Sequence, residues 1–193
     1  MKEKINQINQ SIAEKRDRLK EKVEWYFDSI IIPSGIFLRQ QDGANKKEST
    51  FLSKIKDFVR SMHSKFGSSK FSVSTTNSDL NISSIKNEII SKIIDSVKKT
   101  SNEWESFMEL KQKEVQSVIA SSSLSESQKD ELISKICLYE VIDINIFEFS
   151  SMVGSANTSS DVEQCIGSYK SRLLAAIDTA SEKQIVKYNS LVL

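Results

Sequence analysis

The chain has 193 residues, 38% of them apolar and 27% charged, and 27 Lys and Arg against 26 Asp and Glu leave a formal charge of +1. That length is enough to bury a core as one domain, and the near-neutral balance gives no global electrostatic reason to bind nucleic acid or acidic substrates. Five Gly and one Pro argue against a turn-rich all-β fold and for long helices. The expectation is a single, mainly α domain over 1–193, a bundle of about five helices with at most one or two short extended segments.

The first helix covers residues 2–31. Ile5, Ile8, Ile12, Leu19, Val23, Tyr26, Phe27 and Ile30 fall within about 100° of a helical wheel, a narrow seam close to heptad spacing. Lys15 and Lys22 stand at seam-edge positions where an isolated coiled coil would carry leucine. A long bundle helix is therefore the first reading, and a dimerisation or partner-docking helix the second. Pro33 and Gly35 are expected to end the helix and make a turn inside the apolar run 30–38. A turn so apolar should lie buried under neighbouring helices. In the alternative, Ile32, Ile36 and Phe37 form a tip that enters a membrane interface or a partner, the run being too short to span a bilayer.

Residues 39–50 read as a polar loop. Over 51–66, Phe51, Leu52, Ile55, Phe58, Val59, Met62 and Phe66 fall within about 120° of the wheel, while Lys54, Lys56, Asp57, Arg60 and Lys65 occupy the remainder. Between Gly43 and Phe71 seven Lys or Arg stand against two acids, Glu48 and Asp57. The plain reading is a core helix with a basic outer face. The functional one is contact with an anionic membrane or a partner groove through Phe51, Lys54, Lys56, Phe58, Arg60, Met62, Lys65 and Phe66. Nucleic acid is disfavoured because the aromatics sit opposite the basic residues instead of between them. Residues 67–79, rich in Ser, Thr and Asn, read as a loop with room for a short strand.

The longest pattern runs over 80–120. Ile82, Ile85, Ile89, Ile90, Ile93, Ile94 and Val97 share one side of the wheel. Beyond a polar interruption at 100–102, Trp104, Phe107, Met108, Val115, Val118 and Ile119 return to it in phase. One helix of about 40 residues, roughly 60 Å long, follows. Its stripe is about half the wheel wide, so two or more neighbours should cover it, and the bundle is expected to be organised around it. Leu110 alone falls clearly off the stripe. Asn77, Ser78 or Asp79 would cap the start, and serines 121–123 would weaken the end.

Ser125 to Gln128 has capping-box spacing and opens a helix expected to reach about residue 140. Over 141–149, Ile142, Ile144 and Ile146 alternate as in a strand, but Phe147 and Phe149 break the alternation; strand or helix, the segment should be buried. A loop over 151–159 precedes a second capping-box spacing at Ser160 to Glu163, and a last helix should run to about residue 188.

Cys137 and Cys165 lie 28 apart and read as buried, reduced thiols in two helices, with a disulfide between those helices as the alternative. No secretory h-region or bilayer-length apolar run is visible, so a cytoplasmic location is expected, signal-less secretion leaving no trace in the sequence. The single histidine, His63, rules out metal sites that need two or more imidazoles. No nucleophile elbow or glycine-rich phosphate loop occurs. Glu103, Glu105, Glu109 and Glu114 read as a charged outer face. No catalytic, cofactor-binding or metal-ligating residue is assigned. The function expected is a non-catalytic helical protein–protein interaction module, with self-association through the long helices as one form of it. A peripheral membrane-binding protein using 51–66 is the alternative, and an enzyme without recognisable motifs the lesser one.

Overall fold

The computed structural model describes residues 1–41, 82–156 and 159–192, with side chains described at 1–29, 86–156 and 160–192. Five helices and no strand occur among the described residues: α1 (Lys2–Gln41), α2 (Ile82–Ala120), α3 (Glu126–Lys135), α4 (Ile146–Ser155) and α5 (Ser159–Asn189). The mainly α class is as the sequence implies. The segments expected at 42–50, 51–66 and 67–79, with His63, lie outside the described residues.

Cross-helix bonds give the directions. Asn9 donates to the Asn189 side-chain oxygen at 2.7 Å, Lys20 to Asp178 at 2.7 Å, and Lys170 to Asp28 at 2.7 Å. Partner numbers fall as α1 numbers rise, so α1 and α5 are antiparallel. Lys15 donates to Glu103, and the Tyr26 hydroxyl to the Lys92 carbonyl, each at 2.7 Å, so α1 and α2 are antiparallel too. It follows that α2 and α5 run parallel. α1 packs extensively on both, whereas α2 and α5 meet each other only marginally. The shared helix is therefore α1, with the 82–120 helix as one of its two long flanks.

The buried positions explain this packing. In α1 they include Ile8, Ile12, Leu19 and Val23; in α2 Ile93, Val97, Trp104, Met108, Val115 and Ile119; in α5 Val162, Ile166, Leu173, Ile177, Gln184 and Tyr188. Each set repeats after eleven residues, as from Ile8 to Leu19, Ile93 to Trp104 to Val115, and Val162 to Leu173 to Gln184. Eleven residues in three turns is about 3.67 per turn, close to the relaxed helix, so the seams stay aligned without the left-handed supercoil that a heptad imposes. The α1 seam is as the sequence implies, with Ile5, Ile8, Ile12, Leu19, Val23 and Phe27 buried and Lys22 exposed at its edge, and its spacing also fits the eleven-residue repeat.

Cations fill two places in the pattern. Arg16 falls eleven residues from both Ile5 and Phe27, and Lys111 eleven from Thr100. Each keeps an apolar stem in the seam and a charged head at its edge. The polar interruption in α2 is local as well: Thr100 is buried and its hydroxyl donates to the Ser96 carbonyl at 2.8 Å.

Several boundaries differ from expectation. α1 does not stop at Pro33 and Gly35 but continues to Gln41. One lost hydrogen bond costs about 3 kcal/mol, but the preceding turns are already formed, so the residues beyond add to the helix without a new nucleus. α3 ends at Lys135 instead of near 140, a turn and bend follow at 136–138, and residues 139–145 have no regular secondary structure and join no sheet. α4 occupies 151–155, expected to be loop. Phe149 and Val153 bury one face of it, and the Lys86 ammonium meets the carbonyls of Gly154 and Ala156 at its C-terminal end. Ser125 and Gln128 do form the reciprocal capping box, whereas Ser160 lies inside α5, which starts one residue earlier. Both cysteines are free; Cys165 is half-buried, but Cys137 is exposed in the bend that follows α3, contrary to the buried helical position expected for it.

Glu103 is the clearest polar link in the bundle. It accepts from Lys15 and Lys22, each at 2.7 Å, and is 29% exposed. Burial opposes its charge, yet the two lysine hydrogen bonds and their positive charges outweigh that, and the carboxyl sits below its ordinary 4.5. A lowered carboxyl adds stability that is complete above the ordinary value and lost as pH falls through the folded one. Glu103→Gln is expected to cost about 1 kcal/mol at neutral pH, discounted for solvent at Lys22. The difference from wild type should shrink as pH falls through the carboxyl's lowered folded value, read as urea midpoints from neutral pH into the acid range. A constant difference would assign the loss to packing.

Candidate functional site

Two parallel helices that barely touch leave a groove between them, on the opposite side from α1. Residues 136–145 fill it, continuing into α4, which packs on both α2 and α5. This strap has no β-ladder partner, so its backbone groups need side chains. Trp104 of α2 donates through its indole nitrogen to the Glu140 carbonyl at 2.7 Å, and Gln112 donates to the Ile136 carbonyl at 2.6 Å. From α5, the Gln184 side-chain oxygen accepts from the Glu140 amide at 2.8 Å, and Lys187 donates to the Leu138 carbonyl. Asn145 ends the strap and caps α4, its side-chain oxygen accepting from the amides of Phe147 at 3.1 Å and Glu148 at 3.2 Å.

The strap is anchored inward by Ile136, Ile142 and Phe149, the last with its ring 4.5 Å from that of Tyr169. Outward it presents Leu138 at 72%, Val141 at 53% and Phe147 at 86% exposure. The expectation that 141–149 is wholly buried is therefore half corrected. Ile142 and Phe149 go in, while Val141 and Phe147 face solvent, because a strap between two helices has an inner and an outer side.

The electrostatics around the strap are uneven. Glu105 and Glu109 follow Trp104 and Met108 by one residue and so edge the line on which the strap lies. Burial, and then the fields of Glu109 and Glu105, push the Tyr139 phenol up. On the other edge Lys187 is held by the strap itself and stands 3.9 Å from Glu140, and Arg172 pairs with Glu148. Of the four carboxylates read as an outer face, Glu103 is drawn into the α1 interface and Glu114 pairs with Lys111 at 2.6 Å.

The residues singled out in the sequence are not brought together here. Phe51, Lys54, Lys56, Phe58, Arg60, Met62, Lys65 and Phe66 lie outside the described residues. Ile32, Ile36 and Phe37 lie in helical backbone of α1, beyond the described side chains. The α1 seam from Ile5 to Phe27, considered for dimerisation, is buried within the chain. Among the described residues no group of three or more His, Cys, Asp or Glu is placed to hold a metal ion, and no helix is long and apolar enough to cross a membrane. Comparison with protein-family models, curated proteins and solved structures finds no match.

Proposed function

We propose that this chain is a non-catalytic helical interaction module that acts by binding another protein. The observation that supports this most is the outer side of the strap, where Leu138, Val141 and Phe147 are exposed on a segment whose inner side is fixed to two helices. A large aromatic at 86% exposure costs solubility without adding to the fold, and buried aromatics are the usual anchors of protein interfaces. The test places a photo-crosslinking phenylalanine analogue at position 147 and, as a control, at exposed position 106. A protein crosslinked through 147, absent through 106, and lost when Leu138 is changed to Asp is the expected result. Equal products from both positions would sink the reading.

Peripheral membrane contact through 51–66 is the second reading, favoured by the one strongly basic stretch of the sequence. It predicts flotation with anionic liposomes that Lys54→Glu, Lys56→Glu, Arg60→Glu and Lys65→Glu together abolish. Flotation unchanged by those substitutions would remove this stretch from any membrane role.

A further inference from the structure

We infer that the outer side of the strap is a docking surface for a cationic amphipathic helix of a partner protein, with Leu138, Val141 and Phe147 meeting its apolar face and Glu105, Glu109 and Asp143 its basic residues. This rests on the interaction reading above and supplies the chemistry of the partner.

Charge selects the sign. Glu105, Glu109 and Asp143 form no ion pair with any described residue, whereas on the α5 edge Lys187 and Arg172 are engaged with Glu140 and Glu148, leaving Lys183, one residue before Gln184, as the unpaired cation among the described residues there. Three unpaired acids against one unpaired lysine make the free charge beside the strap net negative. A cationic partner is attracted to it and an anionic surface is repelled.

Backbone chemistry selects the shape. An extended peptide joins a surface by pairing with free main-chain groups. Here the carbonyls of Ile136, Leu138 and Glu140 and the amide of Glu140 already bond to side chains of α2 and α5. A helix laying one face on the exposed side chains needs no main-chain partner at all. Length agrees: from Leu138 to Phe147 the chain reaches at most roughly 30 Å, the length of a helix of about 20 residues.

The probe is a fluorescein-labelled 18-residue leucine–lysine peptide of helical periodicity, with a leucine–glutamate peptide of the same pattern as its counterpart. Binding to the full chain is read by anisotropy. The leucine–lysine peptide should bind and weaken as salt rises, and the leucine–glutamate peptide should not bind. Glu105→Lys with Glu109→Lys, and separately Phe147→Asp, should each weaken binding at least tenfold. Glu109 and Phe147 are exposed and Glu105 is half-buried, none of them in the core, so circular dichroism should show both variants folded as wild type. No binding of the cationic peptide, equal binding of both peptides, or affinities unchanged in both variants would overturn the inference. The crosslink through position 147 is independent of the peptide: its presence with a failed peptide experiment keeps the interaction reading and discards only the basic helix.

Discussion

Replacing Trp104 with alanine is expected to destabilise the protein by about 3–5 kcal/mol, the range for emptying a large aromatic site that cannot collapse. Trp104 is fully buried in the α2 seam, its ring centroid 6.3 Å from that of Phe107. Its indole N–H also holds the strap at the Glu140 carbonyl. Alanine therefore removes packing and a hydrogen bond together. Trp104→Phe separates them: most ring volume stays while the Glu140 carbonyl loses its donor, for an expected loss of about 1–2 kcal/mol. Urea midpoints at unchanged slope measure both. Amide hydrogen exchange should in addition rise across 137–145 in either variant, since the strap loses a clamp. A loss below about 1 kcal/mol for the alanine variant would show that the strap and α2 pack independently of this side chain.

The three long helices were legible because their periodicity persists over many turns and each apolar residue votes for the same face. Trp104 and Met108 announce the return of the α2 stripe after Thr100, and the structure buries all three. The period itself was harder to read. Heptad and eleven-residue patterns part by one position only after several turns, and in α1 the turn that would decide carries Lys15 and Arg16 in place of apolar residues. The prominence of α2 in the sequence also misled: its stripe is the broadest because the strap and α4 cover part of it, not because it is the shared helix.

The strap was not legible for a different reason. Its conformation depends on Trp104, Gln112, Gln184 and Lys187, side chains that lie roughly 25–50 positions away and satisfy its backbone from both flanks. No local pattern encodes such partners. The one available signal was Phe147, which breaks the alternation of Ile142, Ile144 and Ile146 where Asn145 turns the chain into α4. Exposure of Leu138, Val141 and Phe147 runs against the rule that apolar residues go inside, so only the structure reveals it.

Phe27→Ala is the second large expected loss, about 3–5 kcal/mol, and it tests which helix is shared. Phe27 is fully buried, flanked by Tyr26 bonded to Lys92 of α2 and by Asp28 paired with Lys170 of α5. A cavity there faces both flanks, so α2 and α5 should lose stability together. Trp25→Phe supplies the background for this experiment. It deletes an indole N–H buried without a partner among the described residues, so its own effect should be small. Trp104 is then the one tryptophan left, reporting on α2, while far-UV circular dichroism reports on all the helices. With α1 shared, the two transitions stay coincident and move together in Phe27→Ala. Leu110→Ala, at 64% exposure and off the stripe, should stay within about 0.5 kcal/mol of wild type. Were the fluorescence transition to remain in place while the dichroism shifted, α2 would be folding without α1. Its stability would then come from α3, α4 and the strap, and the bundle would be two separable units instead of one built on a common helix.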